Sequence, residues 1–513
     1  MCGIIIYLNF QYHPSIFEQL TNKLKHRGPD NTQILVKDNI YFGFNRLSIN
    51  DLSSNGNQPF NFNDIIMVCN GEIFNHQELE RKYNIKVQSK SDCEIIIHLY
   101  KKIGIKQTIN QLDGEFAFVL YDTKKRILYA ARDKYGVRPL FWALNSTGIC
   151  FASEAKALPF EQNVSQFPPG HYVASDKNYS PIKYIKNEYK INYIDAYKSI
   201  KNSLYRAVQK RVKNSERPVG VLLSGGFDSS LISAISAKYV NNLHSFSIGH
   251  KDSTDIKFAN EVANKIGSIH HNITITNEDA IRSIPEVIYS LESYDITTIR
   301  AATPMWILAK WIKENTDIKV LLSGEGADEY GSYLYFKYAP DIDEFNKESR
   351  RLLNDIHYFD GLRADRCISA HGLELRVPFL DKDFSSTFLG VSPDFRKPHK
   401  GTEKYHLRKI FSTEDLLPPS VNWRKKDAFS DSVGSSWRIA IKDYTEKLYT
   451  DEEFEKLSNN YLYNMPKTKE ALWYREVFER TFPAKPHLTP YYWMPKWVKT
   501  DDPSAKTINN EEF

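Results

Sequence analysis

A cysteine at the second position has an option open to few residues. If Met1 is removed, Cys2 presents a thiol beside its own free α-amine. That amine has a reference pKa of about 8, so at neutral pH it can take the thiol proton, directly or through water. One residue then supplies nucleophile and base. A buried structural cysteine at a strand start explains Met1, Cys2 and Gly3 equally well when they are taken alone. A second stretch, VGVLLSGGFDSSLISAI (219–235), is suited to phosphate. An apolar run leads into Ser224, Gly225 and Gly226, then Asp228, Ser229 and Ser230, then a helical pattern. The glycines allow close backbone approach, and the serines and helix N-terminus offer donors to phosphate oxygens. It is not a Walker A loop, because the G-K-[ST] ending is missing. A third run, LLSGEGADE (321–329), also carries an apolar strand into carboxylates. Asp228 and Asp328 at two strand ends could converge on phosphates and a divalent cation. Each alone could equally be a helix N-cap.

Two different kinds of scaffold must hold these residues. From 2 to about 180 the chain shows short β-type runs broken by Gly, Pro and Asn: 3–8, 41–49, 65–70, 116–122, 127–133, 140–144 and 149–154. Helical patterns at 14–24 and 92–103 interrupt them, the second through a stripe of Ile95, Ile96, Leu99 and Tyr100. This is an α+β layout with two antiparallel sheets' worth of strands. A polar stretch at 176–193 reads as a linker or domain-edge segment. From about 195 longer helices alternate with apolar strands at 219–223, 243–249, 270–275 and 320–324, the sign of a parallel α/β sheet. The expected domains are therefore 2–185 and 195–513, consistent with a 513-residue, 59.5 kDa chain too long for one core. The aromatics of YYWMPKW (491–497) are expected to dock and the tail after them to fray.

Composition excludes several classes. With 41% hydrophobic and 26% charged residues the chain is ordinary for a soluble protein. A net charge of +5 with both signs dispersed gives no nucleic-acid stripe or membrane patch. The five cysteines form no C-x-x-C pair and no metal-ligand cluster, which favours free thiols in a reduced compartment. No leader-like segment begins the chain, and no apolar run approaches the roughly 20 residues that span a bilayer. The expectation is a cytoplasmic protein without membrane or nucleic-acid partner.

The residues after Cys2 change its reading. HRGPD (26–30), FNRLSIND (44–51), NGEIFNH (70–76) and SDCE (91–94) follow in the order and kind seen in class II glutamine amidotransferases. DGEFAFVLYD (113–122), ARDKYGVRPL (131–140) and SEAKAL (153–158) extend the match, which resembles that N-terminal-nucleophile hydrolase domain over almost its whole length. The resemblance implies that Cys2 attacks the glutamine amide, with Asn70 and the Gly71 backbone N–H as oxyanion hole. It implies a fork from Arg46 on the α-carboxylate, with Glu72 and Asp92 taking the α-ammonium. Leu47, Ser48, Ile49 and Asn50 complete the implied pocket. Taken singly, Arg46 or Asp92 could be a surface ion pair and Asn70 with Gly71 a hairpin turn.

The 219–235 stretch resembles the SGGxDSS loop (224–230) of N-type ATP pyrophosphatases. That likeness implies ATP bound by the loop and by Ser323 and Gly324, with Leu222 and Ile248 meeting adenine. Glu325 would serve the reacting substrate, and Asp228 with Asp328 would hold Mg²⁺. Asp255, a little further on, begins a helical region and could simply cap it. Further motifs at 290–301, 359–381, 423–437 and 466–483 resemble glutamine-hydrolysing asparagine synthetases, the eukaryotic type most nearly. The resemblance covers nearly the whole chain. It implies two coupled sites: glutamine gives up ammonia at the first, and ATP adenylylates the aspartate β-carboxylate at the second. Ammonia moving through an interdomain tunnel then displaces AMP to give asparagine. No redox or organic prosthetic group is implied, and family members form homodimers. Lys426, in WRKKDAFSD, matches a lysine that stabilises charge during activation; without the alignment Lys425 could not be told apart from it.

Departures are few: Phe227 where leucine is commoner, Ala327 where serine is often found, and a trimmed linker and tail. Rival readings are a β-lactam-forming synthetase, which has usually lost the cysteine chemistry, and an idle relative acting as a binding or storage protein. Phosphoribosyl and hexosamine amidotransferases lack SGGFDSS, and a tRNA-modifying pyrophosphatase would lack the first half and should show a basic face.

Overall fold

The computed structural model describes all residues except 10–12, 145–147, 159–162, 186–192, 252, 400, 425–434, 501 and 504–513. The chain divides into two compact units. The first comprises Met1–Asn187 with two short segments from much later in the chain, Lys213–Pro218 and Ser369–Leu375. The second comprises Glu188–Val212, Val219–Ile368 and Arg376–Phe513.

The first unit is built on two six-stranded antiparallel sheets. One contains β1 (Gly3–Leu8), β2 (Asn31–Lys37), β3 (Ile40–Arg46), β8 (Phe141–Leu144), β9 (Ile149–Ala152) and β10 (Ser165–Gln166), in the order β10-β8-β9-β1-β3-β2. The other contains β4 (Phe60–Phe62), β5 (Ile65–Ile73), β6 (Gly114–Asp122), β7 (Ile127–Arg132), β11 (His171–Ala174) and β12 (Ile182–Lys183), in the order β12-β11-β7-β6-β5-β4. Their inner faces share one core, to which Ile4 and Ile6 of β1, Phe42 and Phe44 of β3, and Ile66 and Val68 of β5 belong. The alternate residues of β5, Met67 and Cys69, face a second core with Ile96, Leu99 and Tyr100 of the helix Ile95–Gln111. A strand buried on both faces needs a continuous apolar run, and IIMVC provides it. Helix Pro14–Asn22 packs on β3 through Phe17 and Thr21.

β5 runs to Ile73, three residues past the expected end, because Gly71 and Glu72 stay paired with Phe116 and Glu115 of β6. β2 was not expected. Its NTQILVK alternates in exposure and leaves Ile34 and Val36 largely exposed, as befits an edge strand.

The second unit carries β13 (Val219–Leu222), β14 (His244–Gly249), β15 (Ile269–Thr274) and β16 (Val320–Leu322), in the order β15-β14-β13-β16. β13 pairs in parallel with β14 and β16, and β14 with β15. The chain winds outward from β13 to β15 and then returns to the other side of β13. Such a reversal leaves a crevice at the carboxyl ends of the strands that flank it, here β13 and β16. Among the described residues no helix is long and apolar enough to cross a membrane, and all five cysteines are free thiols.

Candidate functional site

Strand periodicity sets up the first site. Cys2 precedes β1, shares by alternation the face of Ile4 and Ile6, and packs against their core. The same alternation in β5 puts Asn70 and Glu72 on the face of Ile66 and Val68, which line that core from the other sheet. The loop leaving β3 joins them. The Cys2 thiol lies 3.7 Å from the Leu47 carbonyl oxygen, and Asn50 Nδ2 donates to Glu72 (2.8 Å) and Asp92 (3.3 Å). Asp92 opens a short 3₁₀ turn, Asp92–Glu94, and its other oxygen accepts from the Ile73 N–H at 2.5 Å. Glu72 and Asp92 are both buried.

Asn70 is the most telling member. It sits inside β5, paired with Ala117, so the hairpin-turn alternative does not hold. Its side chain is 1% exposed, and neither its Oδ1 nor its Nδ2 has a hydrogen-bond partner. Burying an amide without partners is unfavourable, and polar atoms kept so are suited to a ligand.

The Arg46 guanidinium is turned to its own loop. Nη1 donates to the Ser53 carbonyl (2.7 Å) and Asn57 Oδ1 (2.6 Å), and Nη2 donates to the Asn50 (3.3 Å) and Asp51 carbonyls. Arg46 is therefore buried and not a surface ion pair. Ser48 donates its N–H to Asp30, and Arg27 reaches the Cys2 carbonyl oxygen at 3.0 Å. These contacts account for two positions of HRGPD. Two partners could not be foreseen: Asn214 Nδ2 donates to Glu72 (2.8 Å), and Arg217 Nε donates to the Ser48 carbonyl (3.0 Å). Both come from Lys213–Pro218, and no local pattern marks them.

With Met1 in place, its amine is buried, donates to the Leu373 carbonyl at 3.1 Å and has a pKa lowered to about 6 by that burial. Cys2 retains some exposed surface, but the protein around its thiol pushes the thiol pKa up to about 11; the nearby amine and Arg46 only partly oppose this.

The second site is the crevice between β13 and β16, a cavity of about 230 Å³. Leu222, Phe246, Ile248 and Met305 give the lining its apolar part, and Ser224, Asp228, Ser229, Ser323 and Gly324 give polar groups and a close backbone approach. Gly225 has φ +74°, and a side chain there would strike the Asp255 carbonyl at 2.5 Å. A Cβ on Gly324 would meet the Ser229 nitrogen at 2.7 Å, so the two loops touch only because that position is glycine. Gly226 N-caps helix Phe227–Ala237, and Ser230 Oγ in its first turn is buried without a partner.

Asp228 and Asp328 are brought to one cation, Lys404, whose Nζ lies 2.5 Å from Asp228 Oδ2 and from Asp328 Oδ1. Burial alone would lower the Lys404 pKa, but the two carboxylates outweigh it and raise it. Asp228 Oδ1 remains buried without a partner. Neither aspartate is an N-cap: Gly226 caps the first helix, and Ala327 precedes the 3₁₀ turn at Asp328. Asp255 is no cap either, since Ser253 holds that position and Asp255 pairs with Arg424 at 2.5 Å.

In the same cavity Glu325 meets Arg363 Nη2 at 2.8 Å, and Arg363 also holds Asp360 at 2.7 Å. Burial pushes Glu325 up, against the pull of Arg363. Burial acts on Asp360 too, but there Arg363 wins and keeps the carboxyl below its ordinary value. Arg363 Nη1 has no partner. Arg363 lies in the 359–381 motif and Lys404 in no recognised one, and sequence reasoning gave neither a role. Phe227 lines the pocket and takes the Arg408 guanidinium over its ring at 4.7 Å. Lys426 lies outside the described residues.

Residues 1–166 match the glutamine amidotransferase domain, and residues 199–342 and 337–506 match asparagine synthase. The class that fold and sites define is thus an amidotransferase unit joined to a synthase unit. Relatives match across both. Asparagine synthetases (glutamine-hydrolysing) from Cricetulus griseus and Homo sapiens are each 41% identical, covering 99% of this chain and 99% of their own. That of Gallus gallus is 40% identical with the same coverage. The chain belongs to the family of glutamine-hydrolysing asparagine synthetases.

Proposed function

We propose that this protein makes L-asparagine from L-aspartate, with ATP activating the β-carboxylate and L-glutamine supplying the nitrogen. The observation that carries the reading is that relatives match both units end to end while each site keeps buried polar atoms without partners: Asn70 in one, Asp228 and Ser230 in the other.

In the first unit, removal of Met1 leaves the Cys2 amine beside its thiol, whose pKa burial pushes up. The amine takes the thiol proton and the sulfur attacks the glutamine amide carbon. Asn70 Nδ2 and the Gly71 N–H stabilise the oxyanion. The Cys2 ammonium returns the proton to the departing nitrogen, which leaves as ammonia, and water then releases glutamate from the thioester. Glu72 and Asp92 hold the substrate ammonium. Its carboxylate exchanges for loop carbonyls on the Arg46 fork, with Leu47, Ser48, Ile49 and Asn50 framing the pocket.

In the second unit the apolar part of the lining, with Leu222 and Ile248, receives adenine. The Ser224 to Ser230 loop, with Ser323 and Gly324, receives the phosphates. Among the described residues no group of three or more His, Cys, Asp or Glu could hold a metal by itself. Two carboxylates, one with an orphan oxygen, suit a hard cation that takes its remaining ligands from phosphate and water. Asp228 and Asp328 would hold Mg²⁺, which neutralises phosphate charge when bound. A β-carboxylate oxygen of aspartate attacks the α-phosphorus and pyrophosphate leaves. Ammonia then attacks the acyl carbon and AMP leaves, with Glu325 placed to take the ammonium proton. Lys426 keeps the charge-stabilising role that the family likeness implies.

The domains proposed are 2–185 and 195–513, in a cytoplasmic protein that assembles as a homodimer. Purified protein with glutamine, aspartate, ATP and Mg²⁺ should yield asparagine, glutamate, AMP and pyrophosphate in equal amounts. Well-folded protein that forms neither asparagine nor pyrophosphate refutes the reading. Cys2→Ala should lose glutamine-dependent synthesis and keep ammonia-dependent synthesis; failure of ammonia to rescue it would refute the division between two sites.

A further inference from the structure

Trp493 lines the synthetase pocket, and it and Asp502 are each tied to the same helix. The Trp493 N–H donates to Asp295 Oδ1 at 2.7 Å. Asp295 is fully buried and caps the helix Ile296–Asn315, its other oxygen accepting from Thr298 N (2.9 Å) and Oγ1 (2.7 Å). One carboxylate thus holds both the pocket-lining helix and the backbone at Trp493. About a turn further along that helix, Arg300 Nη1 donates to Asp502 at 2.9 Å. Arg438 Nη1 takes the second oxygen of Asp502 at 2.8 Å. Around these ties the helix presents Thr297, Thr298 and Ala301 to the cavity, and the Thr297 hydroxyl is buried without a partner.

The Trp493 ring lines the same cavity and sits 5.4 Å from the ring of Tyr333. Tyr333 donates its hydroxyl to Asp360 at 2.6 Å, and Asp360 is held by Arg363, the cation with an unused Nη1. Trp493 is therefore linked, through Tyr333 and Asp360, to Arg363 and Glu325. On the proposed function, this set of residues receives the acceptor amino acid.

We propose that Trp493 is a specificity-determining wall for the acceptor amino acid in this pocket, and that Asp295 and Asp502 are positioning residues tying the C-terminal segment to the helix that lines it. The inference rests on the reading of the second unit as the site of aspartate activation. A rigid indole set by backbone and ion-pair ties limits the length of the amino acid that fits, whereas adenine and the phosphates are met by other residues.

The test uses the full chain with ammonia as nitrogen source, so that only the second site is read. Trp493→Ala should raise KM for aspartate by at least about tenfold and leave KM for ATP within about threefold, and it should weaken rejection of glutamate, one methylene longer. Trp493→Phe should restore aspartate KM to within about threefold of wild type. Asp502→Asn keeps the shape of the tie but removes its charge, and should raise KM for aspartate by about threefold to tenfold with Trp493 intact. Glutaminase turnover, measured on each variant, should stay at the wild-type level. Unchanged aspartate KM in both Trp493→Ala and Asp502→Asn overturns the proposal, as does a parallel rise in both KM values or a fall in kcat alone. If Trp493→Ala does not fold, Trp493→Phe and Asp502→Asn still decide it. Wild-type protein that makes no asparagine from ammonia refutes the functional reading itself. Wild-type synthesis with unmoved variants refutes only the wall.

Discussion

Asn70→Ala separates catalysis from stability more sharply than any other substitution in the first unit. The Asn70 amide is buried, and both its polar atoms lack partners. A buried polar group left unsatisfied costs about 1–3 kcal/mol, so truncation to alanine removes a burden while leaving a small cavity. A cavity term of about 24 cal/mol per Å³ over the few tens of Å³ lost amounts to roughly 1 kcal/mol, of opposite sign. The net expectation is a stability change within about 1 kcal/mol, or a slight gain. Loss of one oxyanion donor should lower glutaminase kcat about 10²–10³-fold, some 3–4 kcal/mol of transition-state stabilisation. Ammonia-dependent synthesis should be unchanged. The assay pairs glutamate release with urea unfolding, following the midpoint and slope separately. Destabilisation of about 3 kcal/mol would mean that Asn70 has a structural partner. Glutaminase kept within about threefold of wild type would remove it from the oxyanion hole.

Two further outcomes follow from the charges and one from a glycine. In protein that retains Met1, a Cys2 thiol pKa of about 11 leaves about one part in a thousand as thiolate at pH 8. Alkylation by iodoacetamide, followed by peptide mass, should therefore be slow and rise about tenfold per pH unit up to that value; the Met1-free form should react faster near neutrality, and equal rates would contradict the assigned role of the amine. Asp381 pairs with Lys210 and Arg211 at 2.6 Å each. Burial alone would raise its pKa, but the two cations outweigh it and lower it from 3.8 to about 2. Its folded value lies below the unfolded one, so the pair stabilises fully above about pH 4 and loses that contribution as pH falls toward 2. Asp381→Asn should cost about 2 kcal/mol at pH 7 and flatten that acid limb in pH-dependent unfolding, and an unaltered limb would count against the pair. Gly225→Ala should abolish pyrophosphate formation and spare glutaminase, because the new methyl strikes the Asp255 carbonyl in a left-handed backbone; normal pyrophosphate release would show that the loop can relax.

Much of the scaffold could be read from local pattern. The strands at 3–8, 219–222 and 244–249 lie within a residue of where apolar runs put them. Alternation along β5 accounts for Asn70 and Glu72 sharing a face with Val68. Boundaries were harder to read: the helix expected at 92–103 begins as a 3₁₀ turn and runs on to Gln111, past a non-helical Gly104. The short strands β4, β10 and β12 pair two or three residues each, too few for periodicity to register.

For Cys2, the sequence by itself determined that a thiol and an amine coincide if Met1 is removed, and the motifs downstream determined what that thiol attacks. The phosphate loop was equally determined, because glycines, serines and a helix start are contiguous along the chain. Only the tertiary structure decided that Lys404 lies between Asp228 and Asp328, that Asn214 reaches Glu72, and that Asp502 meets Arg300 on the helix that lines the synthetase pocket with Trp493. The physical reason is common to all three. Each depends on side chains brought together across 70 to 200 residues of chain, where neither strand nor helix periodicity links one position to the next. A lysine or an aspartate carries no local mark of the partner it will meet, and burial and charge pairing assign that partner only after the chain has folded.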